Sequence, residues 1–261
     1  ATFGGGGTPT RYMGTFPAFL SAWGVLDQGY GSGQGAKCFH SEHLYGEFWH
    51  RAFTVVVDSL NCDYVINFGS NHEASGGVSG VWRQADARAR GLKRVQVEPH
   101  LSVTGALSGE WVPIKPKTDA AFLYGLIHRI LLERDWQAVC DVRFLKEDTN
   151  SPYLVGPHGY FMRDTASGKP LIWDATAQCA KPYDASISDA ALTGSYCVSG
   201  EEHGPDGERW QHTEVQAQPS FERLREHMRK YTPEWAAAEC DVPVETIRRV
   251  ADEFVAHARV G

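Results

Sequence analysis

Cys38 stands in the run Cys38-Phe39-His40-Ser41-Glu42-His43, after a stretch in which Gly31, Gly33 and Gly35 alternate with other residues. A predicted helix follows it. A thiol at a helix start ionises readily, and the thiolate serves as a nucleophile or a metal ligand. His40 and His43 stand close by in sequence and would move protons. His43, Glu47 and His50 fall at i, i+4 and i+7 on one helical face, an arrangement that suits zinc or a solvated polar face. No H-E-x-x-H pattern decides between the two. A second group of chemically capable residues lies further on, in three polar loops. These are Gly69-Ser70-Asn71-His72-Glu73, Glu98-Pro99-His100, and Lys115-Pro116-Lys117-Thr118-Asp119.

The elements around these loops explain why they should gather. Asp63 to Phe68 reads as a short strand ending at Gly69, and Val78 to Arg90 as an exposed helix with Arg83, Arg88 and Arg90 on its polar side, ended by Gly91. Lys93 to Glu98 reads as a second strand, stopped by Pro99. Strand, helix and strand within about 35 residues make a βαβ unit with parallel strands. Val112 to Ile114 predicts a third strand. Thr118 to Leu132 predicts a helix, with Thr118 as N-cap and Phe122, Leu123, Leu126 and Ile130 at helical spacing. In open parallel sheets, ligands bind beyond the carboxyl ends of the strands. The three loops occupy those ends, the last of them opens a helix, and a helix start attracts phosphate. Glu98 is placed to accept hydrogen bonds from a ribose hydroxyl. The pattern suits a nucleotide site, and it equally suits a strand-end turn and a helix cap.

Elsewhere the signals are weaker. Phe16 to Leu26 and His43 to Leu60 read as helices, and Pro243 to His257 as a helix with Val244, Ile247, Val250 and Phe254 on its apolar face. Residues 149–215 are rich in Gly, Pro, Asp and Ser, with hairpins expected near Tyr160–Arg163 and Leu171–Trp173. The fold class expected is α/β, a parallel-sheet, Rossmann-like nucleotide-binding domain with a second, irregular α+β portion. The expected division is 1–60 carrying the Cys38 loop, 61–145 forming the α/β domain, and 146–261 irregular, with C-terminal helices completing the α/β layers.

Composition narrows the function. Lys plus Arg is 25 against 32 for Asp plus Glu, a net charge of −7, which argues against a nucleic-acid surface. Hydrophobic residues at 42% and 30 aromatics supply a core and argue against disorder. No two of the six cysteines form a CxxC pair, so neither a disulfide scaffold nor a four-cysteine metal site is expected from this chain alone. The longest apolar stretch, Ala120 to Leu132, falls short of the ~20 residues of a membrane span. G-x-x-x-x-G-K-[ST] is absent, and Gly31-Ser32-Gly33-Gln34-Gly35-Ala36 lacks a preceding strand, which argues against a dinucleotide-dependent dehydrogenase. The chain starts at Ala1 without Met, so a processed terminus or a piece of a longer protein is expected.

In combination, four segments resemble the molybdopterin oxidoreductases of the dimethyl sulfoxide reductase family. Lys37-Cys38-Phe39-His40-Ser41 resembles the segment carrying the protein ligand of molybdenum. Asp63 to Asn71 resembles the family's strand ending in W-G-x-N, with Phe68 in place of Trp. Gln96-Val97-Glu98-Pro99-His100 followed by Thr104 resembles its I-D-P-R…T segment, and Pro113 to Ala121 resembles its I-x-P-G-T-D-x-A, with Lys117 in place of Gly. Asn150 to Leu154 and Tyr231 to Glu234 are similar to further family segments.

The resemblance implies a bis-molybdopterin guanine dinucleotide cofactor with molybdenum or tungsten, ligated by Cys38. It implies that Gly69, Ser70, Asn71, Glu73, Glu98, Pro99, His100, Thr104, Lys117, Thr118 and Asp119 line one guanine-dinucleotide arm. His40 and His43 would stand beside the metal. It further implies a [4Fe-4S] cluster in an N-terminal segment outside this chain, an iron–sulfur electron-transfer subunit, a membrane-anchor subunit, and the remaining segments of the catalytic subunit as partners. Relatives work on either side of the bacterial inner membrane. A cysteine ligand is similar to that of members acting on sulfur and arsenic oxyanions. Two other readings compete: a non-catalytic nucleotide-binding module that has no need of Cys38, and a cysteine hydrolase using Cys38 with His40 or His43.

Overall fold

The structure is a computed structural model that describes residues 22–24, 58–75 and 77–258. The chain divides into two compact units, Ala1–Ser59 and Leu60–Gly261. Of the first, only residues 22–24 and 58–59 are described, so most of the helices expected over Phe16–Leu26 and His43–Leu60 lies outside the described residues.

The second unit opens with the expected βαβ arrangement. Strand β1 (Tyr64–Phe68) leads through α1 (His72–Ser75) and α2 (Gly77–Ala89) to β2 (Lys93–Glu98). A short helix, α3 (Val103–Ala106), then leads to β3 (Glu110–Pro113). The three strands form one parallel sheet in the order β1-β2-β3, with Phe68 opposite Val97 and Glu98 opposite Pro113. This register brings all three carboxyl ends to one edge. Helix α4 (Asp119–His128) follows and continues into a π-helical turn, Arg129–Glu133, where a regular α-helix to Leu132 is expected from the spacing.

After α5 (Trp136–Val139) and α6 (Val142–Glu147), the chain builds antiparallel structure. A three-stranded sheet has the order β4-β8-β7, from β4 (Leu154–Val155), β7 (Tyr196–His203) and β8 (Arg209–Pro219). A separate hairpin pairs β5 (Leu171–Asp174) with β6 (Cys179–Pro182). Helices α7 (Ser220–Met228), α8 (Pro233–Cys240) and α9 (Val244–His257) end the chain. The architecture is therefore mixed α/β, a parallel sheet with separate antiparallel sheets.

The main core lies between the parallel sheet and α4, α8 and α9. Val95, Val97 and Val112 from the strands meet Phe122 and Leu126 from α4, Ala236 and Cys240 from α8, and Ile247, Val250 and Ala251 from α9. Two expected core positions differ. Leu123 is 40% exposed and Phe254 47% exposed, since each lies at the margin of its helix's apolar stripe. Ion pairs brace α9 on the exterior. Arg248 bonds Glu133 and Glu234, Asp252 pairs with Arg129 and Arg134, and Glu253 with Lys93 and Arg249. Arg248 and Arg129 hold Glu133 at about 2, below the ordinary carboxyl range.

Candidate functional site

Strand β2 alternates in side-chain chemistry: Val95 and Val97 face the main core, while Arg94, Gln96 and Glu98 share the opposite face. Such alternation ordinarily marks a strand with one wet face. Here the polar face is buried as well, and a hydrogen-bonded layer satisfies it. Asn67, register partner of Gln96, donates to the Gln96 Oε1 at 2.6 Å and to the Ser70 carbonyl at 2.7 Å. Gln96 Nε2 donates to Glu98 Oε2 at 2.8 Å, and the Ser102 N–H donates to Glu98 Oε1 at 2.7 Å.

Arg94 anchors the same layer. Its guanidinium donates to Glu73 Oε1 at 2.6 Å, and both side chains are almost wholly buried. Thr104 completes the connection between loops, its N–H donating to Asn71 Oδ1 at 3.2 Å and its hydroxyl to Glu73 Oε2 at 2.5 Å. Burial alone would raise the Glu73 pKa. The hydrogen bonds from Thr104 and Arg94, with the charge of Arg94, outweigh it, and the carboxyl titrates below its ordinary value. Helix α3 sits so close to β2 that a Cβ on Gly105 would lie 2.5 Å from Glu98 Oε1.

Thus, of the residues expected to line a ligand, Asn71 and Glu73 both bond Thr104, and Glu98 bonds Gln96 and the Ser102 N–H. With Glu98 only 4% exposed, its carboxylate faces protein donors where the sequence predicts a ribose hydroxyl. The exposed groups at the same edge are different ones: His72, Pro99, His100, Lys115 and Lys117, with Ser70, Thr118 and Asp119 half-buried and the Gly69 backbone at the turn. Gly69 N–H donates to the Val97 carbonyl at 3.0 Å, tying the first loop to the second strand.

The third loop reaches α4 with Lys117 at φ 68°, a left-handed conformation that favours glycine. The related family motif carries Gly at this position, which fits the backbone seen here. Thr118 does not cap the helix with its side chain, since its hydroxyl donates to the Lys115 carbonyl at 2.6 Å. No side chain therefore caps the start of α4, which lies beside two exposed lysines; the Ala121 and Phe122 N–H groups donate to the Thr118 carbonyl at 2.9 and 3.2 Å. Cys38, His40 and His43, with Glu47 and His50, lie outside the described residues.

Sequence reasoning missed two things. Arg94 is only one residue of a β-type run in the sequence, and its buried pairing with Glu73 appears only in the structure. His158, Glu202 and His212, far apart in sequence, come together in the antiparallel region.

Geometry thus defines a class: a mixed α/β protein whose parallel strands bring three polar loops to one edge. Comparison with known proteins makes it specific. A sulfite dehydrogenase of Allochromatium vinosum is 32% identical over 189 residues, covering 67% of this chain and 18% of the relative. The molybdopterin-containing thiosulfate reductase of Salmonella typhimurium is 23% identical over 204 residues, covering 78% and 17%. A dimethyl sulfoxide reductase of Haemophilus influenzae is 31% identical over 97 residues, covering 35% and 12%. No family model matches the chain. The chain belongs to the molybdopterin oxidoreductases of the dimethyl sulfoxide reductase family. It spans under a fifth of the length of these three relatives, from 12% to 18%.

Proposed function

We propose that this chain is a portion of the catalytic subunit of a molybdenum or tungsten bis-pterin guanine dinucleotide oxidoreductase, which acts on a small substrate in anaerobic metabolism. The carrying observation is the sheet edge, where three strand-end loops meet the uncapped start of α4 beside Lys115 and Lys117. The residues present fit one dinucleotide arm. The positive end of α4, which no side chain caps, and the two lysines would hold its phosphates. Ser70, His100 and Asp119 would meet its polar edges. Asn71, Glu73, Glu98 and Thr104 would fix the loops from beneath, and Arg94 would lock that layer.

Cys38 would ligate the metal, since a soft thiolate suits such a centre. His40 and His43 would hold and move protons beside it. When bound, the metal and its pterins supply the electron-transfer chemistry, while the chain binds, orients and shields. The partners of this reading are the rest of the catalytic subunit with its N-terminal [4Fe-4S] segment, an iron–sulfur electron-transfer subunit, and a membrane-anchor subunit.

The test is metal analysis of the complete enzyme purified without oxygen. Molybdenum or tungsten should be present in wild type, and X-ray absorption should show one fewer sulfur ligand in Cys38→Ala. A wild-type enzyme devoid of both metals would overturn the reading, as would an unchanged coordination sphere in the variant.

A further inference from the structure

A second cluster lies on the antiparallel sheet, away from the parallel strands. On the β7–β8 hairpin, Gly200 pairs with His212 and Glu202 with Trp210, so Glu202 and His212 share one face. The tight turn between Val155 and Phe161 brings His158 to the same place. One donor atom each from His158, Glu202 and His212 lies within 4.8 Å of the others.

Three features show that the cluster is built. First, Glu202 is fully buried, and its carboxylate is held by two backbone donors, the Tyr160 N–H at 2.9 Å and the His158 N–H at 3.1 Å. The turn backbone comes so close that a Cβ on Gly156 would lie 2.5 Å from Glu202 Cδ. Second, the His158 ring stacks on Trp210 at 4.4 Å with 15° between planes, which fixes a ring otherwise open to solvent. Third, His212 Nε2 is buried and makes no hydrogen bond, although Glu202 Oε2 lies only 2.8 Å away. The two atoms converge without the alignment a shared proton needs. An unsatisfied buried nitrogen is costly, so a group that takes its lone pair would relieve it.

We propose that His158, Glu202 and His212 form a binding site for a divalent transition-metal ion of the zinc class. Two imidazoles and one carboxylate match that ion's ligand preference and leave a fourth position for water. Donor atoms about 3.3 Å apart suit bonds of ~2.0–2.1 Å in a tetrahedral site, so a small spreading of His212 from Glu202 admits the ion. The exposed edge at His158 gives it entry. The ion would clip the 155–161 turn to the β7–β8 hairpin, a structural role independent of any chemistry at the parallel sheet.

The experiment uses the full chain, stripped with chelator and dialysed against Zn²⁺, with bound zinc measured and affinity read by competition with a chromophoric chelator. His158 is exposed, so His158→Ala should keep its circular dichroism. Removing an outer-shell partner of a metal site already costs about 10–100-fold in affinity, so loss of a ligand should weaken zinc at least tenfold. Glu202→Gln should do the same, and cobalt(II) bound to wild type should show no sulfur-to-metal charge-transfer band. A chain that takes up no zinc would overturn the proposal. So would equal affinity in folded His158→Ala, which would place the ion elsewhere.

Discussion

Removing Arg94 tests whether the buried polar layer beneath the strand-end loops holds them in place. In Arg94→Met, Glu73 loses a charged partner at 2.6 Å, while its side chain stays almost wholly buried with the Thr104 hydroxyl as its remaining side-chain donor. Ser108 and Gln84 lose donors as well, at 2.8 and 3.3 Å. Breaking a buried pair from one side costs about 3–5 kcal/mol, because the other charge remains without compensation. With a urea slope of about 2 kcal/mol/M, the unfolding midpoint should fall by about 1.5–2.5 M. The assay is urea unfolding of the chain followed by circular dichroism at pH 7. The double variant Glu73→Gln/Arg94→Met removes the orphaned charge and should recover more than 1 kcal/mol, an interaction of the size that contacting residues show. A shift under about 0.5 M in the single variant, or no recovery in the double, would refute the reasoning.

Phe122→Ala empties the centre of the main core, where Phe122 is fully buried, and should cost about 3–5 kcal/mol in the same unfolding assay. Gly105→Ala drives a methyl group toward Glu98 Oε1, which Ser102 and Gln96 hold in place, and should cost about 1–3 kcal/mol by the same measurement. Acid should loosen α9 through two carboxylates. Glu133 is held at about 2 chiefly by hydrogen bonds from Arg248; Glu253, which burial alone would raise, is held at about 2 by Lys93, Arg249 and Tyr64. Depressed folded-state values mean that this stability is complete above pH ~4.5 and disappears as pH falls toward ~2. Thermal unfolding across that window should show Tm falling in wild type and falling less steeply in Glu133→Gln.

The parallel unit was legible because each of its elements agrees with its neighbours. A β-type run ends at Gly69, a polar-faced helix ends at Gly91, and Lys93 to Glu98 matches β2 residue for residue. Helix α4 and the apolar stripe of α9 were readable for the same reason. The β7–β8 hairpin was not. Tyr-Cys-Val-Ser-Gly-Glu-Glu-His carries two glutamates and a glycine where a strand ordinarily carries apolar residues, and the glutamates are buried against partners far away in sequence. Glu202, for example, accepts from the Tyr160 N–H at 2.9 Å and from the His158 N–H at 3.1 Å. Helices α7 and α8 follow a region that reads as loop, although Thr232 and Pro233 mark the start of α8, where the Trp235 N–H donates to the Thr232 hydroxyl at 3.2 Å. At the sheet edge, the sequence located the loops correctly but not the direction of their side chains. Whether Glu98 turns outward to a ligand or inward to Gln96 is decided by α3, a helix of four residues with little signature of its own.

The most direct measurement of the central claim is the guanine nucleotide released by acid hydrolysis of the complete, anaerobically purified enzyme, counted against its molybdenum or tungsten. The proposed function predicts two guanine nucleotides per metal ion in wild type, with both nucleotide and metal reduced in Lys117→Glu, whose new charge would repel the phosphates beside α4. A wild-type enzyme that releases no guanine nucleotide, or a Lys117→Glu enzyme with full nucleotide and metal, would contradict it.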